Sequence, residues 1–449
     1  MNWTILLGFS ALMFAISPAL KPGNQLAQFF GAKREDGSEI GLKTLTSSLL
    51  ISWIFAKSIY NTAALGSSFS MVGGIAYATY WLSFIVAGFT IYRLKKAGFR
   101  SIHEFLNTKY GQGATWLFSF ILVFRLWNEI WSNTMVVGQF FGSNGSSPFI
   151  MATWATTGLV LLYSLKSGLR SSILTDVIQM GLTTFLLLLL LGFILPKTDM
   201  TMAMANNNWS LSGGVDLILV AMIQIWSYPF HDPVMTDRGF ITEESKMLKG
   251  FILSGVLGFI FIFIFSFIGI YFKTANLEGN VIIETAKSFG VIVVIIMNVI
   301  MLSSASSTID STFTSIGKLI SIDLFSNIKM DKILLARISM ITLAILGNIM
   351  IHAGPSILSA TTVSGTMVVG LAPIFMFSNW SRPHKASYYA SILTGLIFGV
   401  LLATKSIGDT IGTGKYGSLL YTNVWATLIS FALFVLLAFI FPKRESEKS

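Results

Sequence analysis

A chain of 449 residues that is 53% hydrophobic and only 11% charged is too apolar for a soluble globular protein. It has no cysteine, which excludes disulfides and thiolate metal sites, and its four histidines lack the HExxH spacing of a zinc enzyme. The net charge of +10 does not call for a nucleic-acid partner, because the basic residues collect in alternate loops between apolar segments.

The composition predicts an all-α polytopic membrane protein. Apolar stretches of roughly 17 to 25 residues, each long enough to cross a bilayer, recur about thirteen times along the chain. The first, Asn2 to Leu20, has no basic leading region and no clear cleavage site, so it reads as a retained helix rather than a signal peptide. A loop carrying Lys21, Lys33, Arg34 and Lys43 follows it. Five helices are then expected at Thr44 to Gly66, Met71 to Tyr92, Ala114 to Phe141, Phe149 to Leu165 and Ser171 to Leu195. Five more are expected at Gly213 to Phe230, Gly250 to Phe272, Thr285 to Gly317, Ile333 to His352 and Ser356 to Phe377. Ala386 to Ala403 and Tyr421 to Phe441 finish the chain.

Lys197, Lys273, Lys287, Lys405 and Lys415 fall in one set of loops, Lys57 and Arg125 lie inside helices, and every other Lys and Arg falls in the opposite set. That asymmetry predicts a multi-pass protein of the cytoplasmic membrane with its N-terminus outside and its C-terminus inside. The expected units are 1–41 (first helix and loop), 42–195 and 196–379 (five core helices each) and 380–449 (two final helices and a short tail). Five is odd, so the second group must be inserted upside down relative to the first. Such inverted repeats place their site at the midplane, between the first helices of the two halves.

Those two helices contain suitable breakers. Core helix 1 reads SWIFAKSIYNTAALGSS, with Lys57, Asn61 and Gly66 interrupting the apolar run, and core helix 6 reads IWSYPFHDPVMTDRGF, with Pro229 and Pro233. Prolines and glycines also merely kink or end helices. Core helix 8 is more specific: in MLSSASSTIDSTFTSIGK, Ser304, Ser307, Thr308 and Ser311 recur at i, i+3, i+4 and i+7, which places four hydroxyls on one face beside Asp310. A lone intramembrane hydroxyl usually bonds its own helix, but four with an acid can hold a monovalent cation such as sodium.

Ionisable residues inside spans are costly and mark function by default. Lys57, Arg125, Glu129, Asp176 and Asp310 qualify. Arg125 and Glu129, at i and i+4, are expected to pair on their own helix. His231 and Asp232 beside Pro233 could gate or cap a solvated loop, and Glu104 to Gly111 and the stretch to Lys249 read as solvated connectors. No nucleophile with a base, metal cluster or phosphate loop suggests an enzyme, and only PKRESEKS follows Phe441 where a sensor would carry a signalling domain.

At these residues the chain resembles the sodium:solute symporter family, which includes sodium-coupled sugar, proline, sialic acid and pantothenate carriers. The resemblance runs over about Leu42 to Phe377 and rests on SIHEFLNTKYG, SGLRSSILTDVIQ, YPFHDPVMTDRGF and SSASSTIDSTFTSIGKLISIDLF in that order. It implies a leucine-transporter-like inverted repeat working by alternating access. By position it also implies a sodium site made by the carbonyls of Ile51, Ile54 and Ser304 and the hydroxyls of Ser307 and Thr308. Asp176, Asp310 and Ser311 would belong to a second ion site or a proton path.

The expected activity is sodium-coupled import of a small organic solute, bound by Lys57, Ser58, Asn61, Trp226 and Tyr228, with no organic cofactor and no obligate protein partner. Lys57 departs from the family pattern. It could replace the ion, pair with a substrate carboxylate or pair with Asp310, and a proton-coupled or ion-independent carrier is the alternative.

Overall fold

The computed structural model describes residues 1–31, 40–354, 357–408 and 414–441. Among them every regular element is helical, and eight helices are long and apolar enough to cross a membrane. Fewer qualify than the roughly thirteen expected, because Asn2–Ile16 is short, Ala56–Lys96 runs two expected spans together and other spans are broken into short pieces; the breaks are where the fold builds its site.

Core helix 1 is two pieces, Leu42–Trp53 and Ala56–Ala78, parted where the backbone leaves helical geometry at Ile54 (φ −76°, ψ 66°) and Phe55 (φ −60°, ψ 145°). The second piece turns at Phe69 and Ser70, the latter at φ 53°, and continues as core helix 2 through Ser83–Lys96. Core helices 3, 4 and 5 are Gln112–Gly138, Ser147–Ser167 and Leu169–Ile194. Core helix 6 is Val215–Gln224, a tight turn, and Pro233–Phe240. Pro233 opens the second piece at the first helical turn, where its missing N–H costs nothing.

Core helices 7, 8 and 9 are Glu244–Thr274, Val291–Lys318 and Lys332–Ile349. The expected Thr285–Gly317 span is split, because Gly290 at φ 90° separates the short helix Val281–Ser288 from core helix 8. Core helix 10 is also broken, into Ser359–Met367 and Leu371–Met376. Lys385–Ala403 and Gly417–Ile440 close the chain.

Core helices 1, 2, 6 and 7 pack on one another, while core helix 8 lies against 3, 4, 5 and 9. The first group packs through small residues: a side chain at Gly269 would run into the Ala63 carbonyl, one at Gly66 into the Ser266 backbone, and one at Gly258 into the Trp81 ring. Large apolar side chains such as Phe120, Phe185, Leu188 and Ile260 point outward, as a lipid-facing surface requires.

Two stretches expected to be solvated are so on one side only: Glu104, Asn107, Glu243 and Lys246 are exposed, but the helices that carry or precede them also bury residues. Ile102–Tyr110 is an amphipathic helix that buries Ile102, Phe105, Leu106 and Tyr110, and Pro233–Phe240 buries Arg238 completely. Both carry enough apolar surface to dock under the bundle, which their charged residues masked in the sequence. The end of the bundle carrying Lys95, Lys109 and Lys318 is called the basic end below.

Candidate transport site

The break in core helix 1 sits beside a closed network of charges. Lys57, fully buried, places Nζ 2.5 Å from Glu129 Oε1 on core helix 3. Arg125, one turn away from Glu129, bonds the same carboxylate and reaches Asp232 Oδ2 on core helix 6 at 3.1 Å. Trp53 Nε1 donates to that oxygen at 2.9 Å, and the Phe55 ring lies under both cations. The Lys57 amide, freed by the break, donates to Asn133 Oδ1 at 3.3 Å. Two cations and two carboxylates thus compensate one another across core helices 1, 3 and 6, which is the condition for keeping ions in a low dielectric. Lys57 therefore faces Glu129 and not Asp310. The expected Arg125–Glu129 pair is present, and Asp232 does cap Pro233–Phe240, accepting from the Met235 amide at 3.3 Å, but it and His231 are buried in the bundle rather than solvated.

On the next turn of core helix 1, Ser58 Oγ and Asn61 Nδ2 both meet the Tyr77 hydroxyl, at 3.4 and 3.3 Å, and Tyr77 reaches Thr361 of core helix 10 at 3.3 Å. Tyr80 donates to Gln224 at 2.7 Å, and its ring packs on Tyr228 at 5.5 Å. Above Asn61 a cavity of about 280 Å³ opens toward the end opposite the basic one, with Tyr60, Gln139, Asn144, Lys415 and Tyr416 on its wall. Ser58, Asn61 and Tyr228 therefore gather around Tyr77 and Tyr80, with Lys57 alongside. Trp226 does not join them: it is 43% exposed and lies in a separate surface hollow with Phe89 and Arg93. It falls in the non-helical turn between the halves of core helix 6, where side-chain direction follows no period.

Toward the basic end, four helices converge on one carboxylate. Asp176 of core helix 5 accepts from Ser48 of core helix 1, Ser307 of core helix 8 and, at 3.0 Å, Arg238 Nη2 of core helix 6. Arg238 also donates to Ser48 (2.7 Å), Ser311 (2.8 Å) and the Val234 carbonyl (2.9 Å). Asp310 is held by hydroxyls, from Ser172 (2.7 Å), Tyr163 (3.0 Å), Thr175 (3.1 Å) and Ser311 (3.3 Å).

The four-hydroxyl face of core helix 8 is buried throughout. Thr308 bonds the Ser304 carbonyl at 2.9 Å, and Ser304 Oγ has no partner. A buried unpartnered hydroxyl beside carbonyl and hydroxyl oxygens suits a small hard cation. Ile51 and Ile54 lie at the helix 1 break, where the hydrogen-bond ladder is interrupted.

Below this cluster Lys318 pairs with Asp237 at 2.5 Å and lies 3.7 Å from Asp323, which is 3.8 Å from His103 Nδ1. Burial lowers the His103 pKa; Asp323 opposes that shift and Lys318 adds to it.

Reasoning from sequence missed Glu129 as the partner of Lys57, and it missed Arg238, Tyr77 and Tyr163. For Arg238 a signal existed: a charged TDRGF run directly after a proline that restarts a helix inside an apolar bundle.

No protein-family profile and no curated protein matches this chain. Among solved structures it is similar to a sodium-coupled sialic acid symporter in a substrate-bound outward-open state, with TM-score 0.76 and 17% identity over 99% of this chain and 98% of that one. The fold is that of the leucine-transporter-like carriers. Mhp1, a nucleobase-cation-symport-1 family transporter bound to bromovinylhydantoin, aligns with TM-score 0.55 and 13% identity over 96% and 98% of the two chains. MhsT in complex with L-phenylalanine aligns with TM-score 0.56 and 13% identity over 88% and 97%. These neighbours are membrane transporters, and the present chain is a helical membrane protein of the same fold.

Proposed function

We propose that this protein is a secondary active transporter that imports a small organic solute with sodium by alternating access. The carrying observation is the meeting of the broken core helix 1 with the buried hydroxyls of core helix 8, through Ser48 and Ser307 on Asp176. Sodium is cargo here, and its ligands are the carbonyls of Ile51, Ile54 and Ser304 with the Ser307 and Thr308 hydroxyls. Sodium bound there ties core helix 1 to core helix 8, so it favours the state open to the outside, and its loss to the cytoplasm loosens the solute site.

Solute binds beneath the 280 Å³ cavity, against Ser58, Asn61 and Tyr228, with Tyr77 and Thr361 completing the wall. Lys57 orders the break through Glu129. Arg238 already supplies a positive charge to Asp176, so the Asp176, Asp310 and Ser311 set is assigned to closing the basic end rather than to a second sodium.

The reading includes the 5+5 inverted repeat, about thirteen crossings, an outside N-terminus and a cytoplasmic C-terminus. A proton-coupled carrier is favoured by one observation, that Asp310 is fully buried and, among the described residues, bonded by hydroxyls with no cation on its carboxyl group. Uptake into proteoliposomes of a solute chosen by thermal stabilisation across a panel separates the two. Stimulation by an inward sodium gradient supports the first reading; indifference to sodium with stimulation by a pH gradient overturns it.

A further inference from the structure

Trp226 leads to a site that the transport reading does not use. Its hollow, about 420 Å³, is the outward side of the break in core helix 6. One wall is the face of core helix 2 formed by Ile85, Val86, Phe89 and Arg93, and Met376 at the end of core helix 10 forms the far side. From Arg93 to Ile85 is eight residues, so the groove runs about 12 Å along the helix axis from the basic end toward the membrane interior. Trp226, Phe89 and Met376 are 43%, 52% and 40% exposed, so the groove faces what surrounds the bundle. Arg93, in the last turn of its helix, stands at the groove's outer end and is itself exposed, with Nη2 donating to the Phe375 carbonyl at 3.0 Å.

We propose that this groove holds an anionic phospholipid, one acyl chain lying along Ile85, Val86, Phe89 and Trp226 and the phosphate on the Arg93 guanidinium. The groove is apolar along its length and cationic only at the membrane-interface end, which is the order of chemistry in such a lipid. Arg93 keeps donors beyond the one spent on Phe375, and a guanidinium matches phosphate geometry. The chain in the groove packs against the turn between the two halves of core helix 6. The lipid thereby covers the break in core helix 6 on the face that carries Trp226. The proposal rests on the chain spanning a membrane, and it stands whether or not sodium is the coupling ion.

The test uses the full chain in vesicles of phosphatidylcholine containing brominated phosphatidylglycerol or brominated phosphatidylcholine. The quenching due to Trp226 is the difference between the wild type and Trp226→Phe. The expected result is half-maximal quenching at about fivefold lower mole fraction for the anionic lipid, equivalent to about 1 kcal/mol for one basic group near the surface. Arg93→Gln should remove that preference, while Arg93→Lys and the control Lys96→Gln should keep it. Val86→Phe, which fills the groove without touching the charge, should weaken quenching by either lipid. Equal quenching by both lipids in the wild type, an unchanged preference in Arg93→Gln, or unchanged quenching in Val86→Phe would overturn the proposal.

Discussion

Arg238→Gln removes the only side-chain cation bonded to Asp176 among the described residues. The carboxylate keeps the Ser48 and Ser307 hydroxyls but loses its counter-charge in a fully buried position. Breaking a buried pair by removing one partner costs about 3–5 kcal/mol. A chain of 449 residues has an unfolding entropy near 1 kcal/mol per degree, so the midpoint should fall by about 3–5 °C. Fluorescence-detected thermal unfolding in detergent measures this, and Arg238→Gln combined with Asp176→Asn should recover much of the loss because no uncompensated charge remains.

The same pair joins core helix 6 to core helix 5, so its loss should also open the basic end. The chain has no cysteine, so Thr46→Cys on core helix 1 provides a single buried reporter. Its labelling from the basic side should rise by about tenfold for each 1.4 kcal/mol of lost latch energy. A double variant no more stable than the single, with labelling unchanged, would refute the argument.

Lys57→Met or Glu129→Gln alone should lower stability by a similar amount, again read by thermal unfolding, and the double variant should regain most of it if Lys57 pairs with Glu129 rather than with solute. Gly269→Ala should reduce the yield of folded protein in size-exclusion chromatography, because its new methyl meets the Ala63 carbonyl of core helix 1 and one of the two backbones must move. His103 has a folded-state pKa below its unfolded value of about 6.5, so the unfolded chain takes up protons first on acidification. Stability should fall as pH drops from about 6.5 through the folded pKa and then level off, and His103→Gln should flatten that part of the midpoint-versus-pH curve.

Much of this architecture was legible locally. Helical periodicity identified the hydroxyl face of core helix 8, and core helix 1 is broken as expected, although Lys57, Asn61 and Gly66, the residues that interrupt its apolar run, are helical and the break precedes them at Ile54 and Phe55. Pro233 was identified as a breaker, although its role is to restart a helix rather than to end one.

What escaped depends on contacts between distant segments. Lys57 and Glu129 are 72 residues apart, and Arg238 and Asp176 are 62 apart, so no spacing rule links them. Trp226 was misplaced because a side chain in an irregular turn obeys neither helical nor strand periodicity. The charged residues of Ile102–Tyr110 and Pro233–Phe240 suggested solvent, which Glu104 and Asn107 do face, whereas the apolar face of the first helix and Arg238 in the second are buried against the bundle.

The central claim is that Ser307 and Thr308, with the broken core helix 1, hold sodium. Equilibrium binding of radiolabelled sodium to the purified protein tests it without knowledge of the solute. The account predicts saturable binding in the wild type that is lost in Ser307→Ala with Thr308→Ala, while that double variant remains folded by thermal unfolding. Absence of saturable binding in the wild type, or its persistence in the double variant, would contradict it.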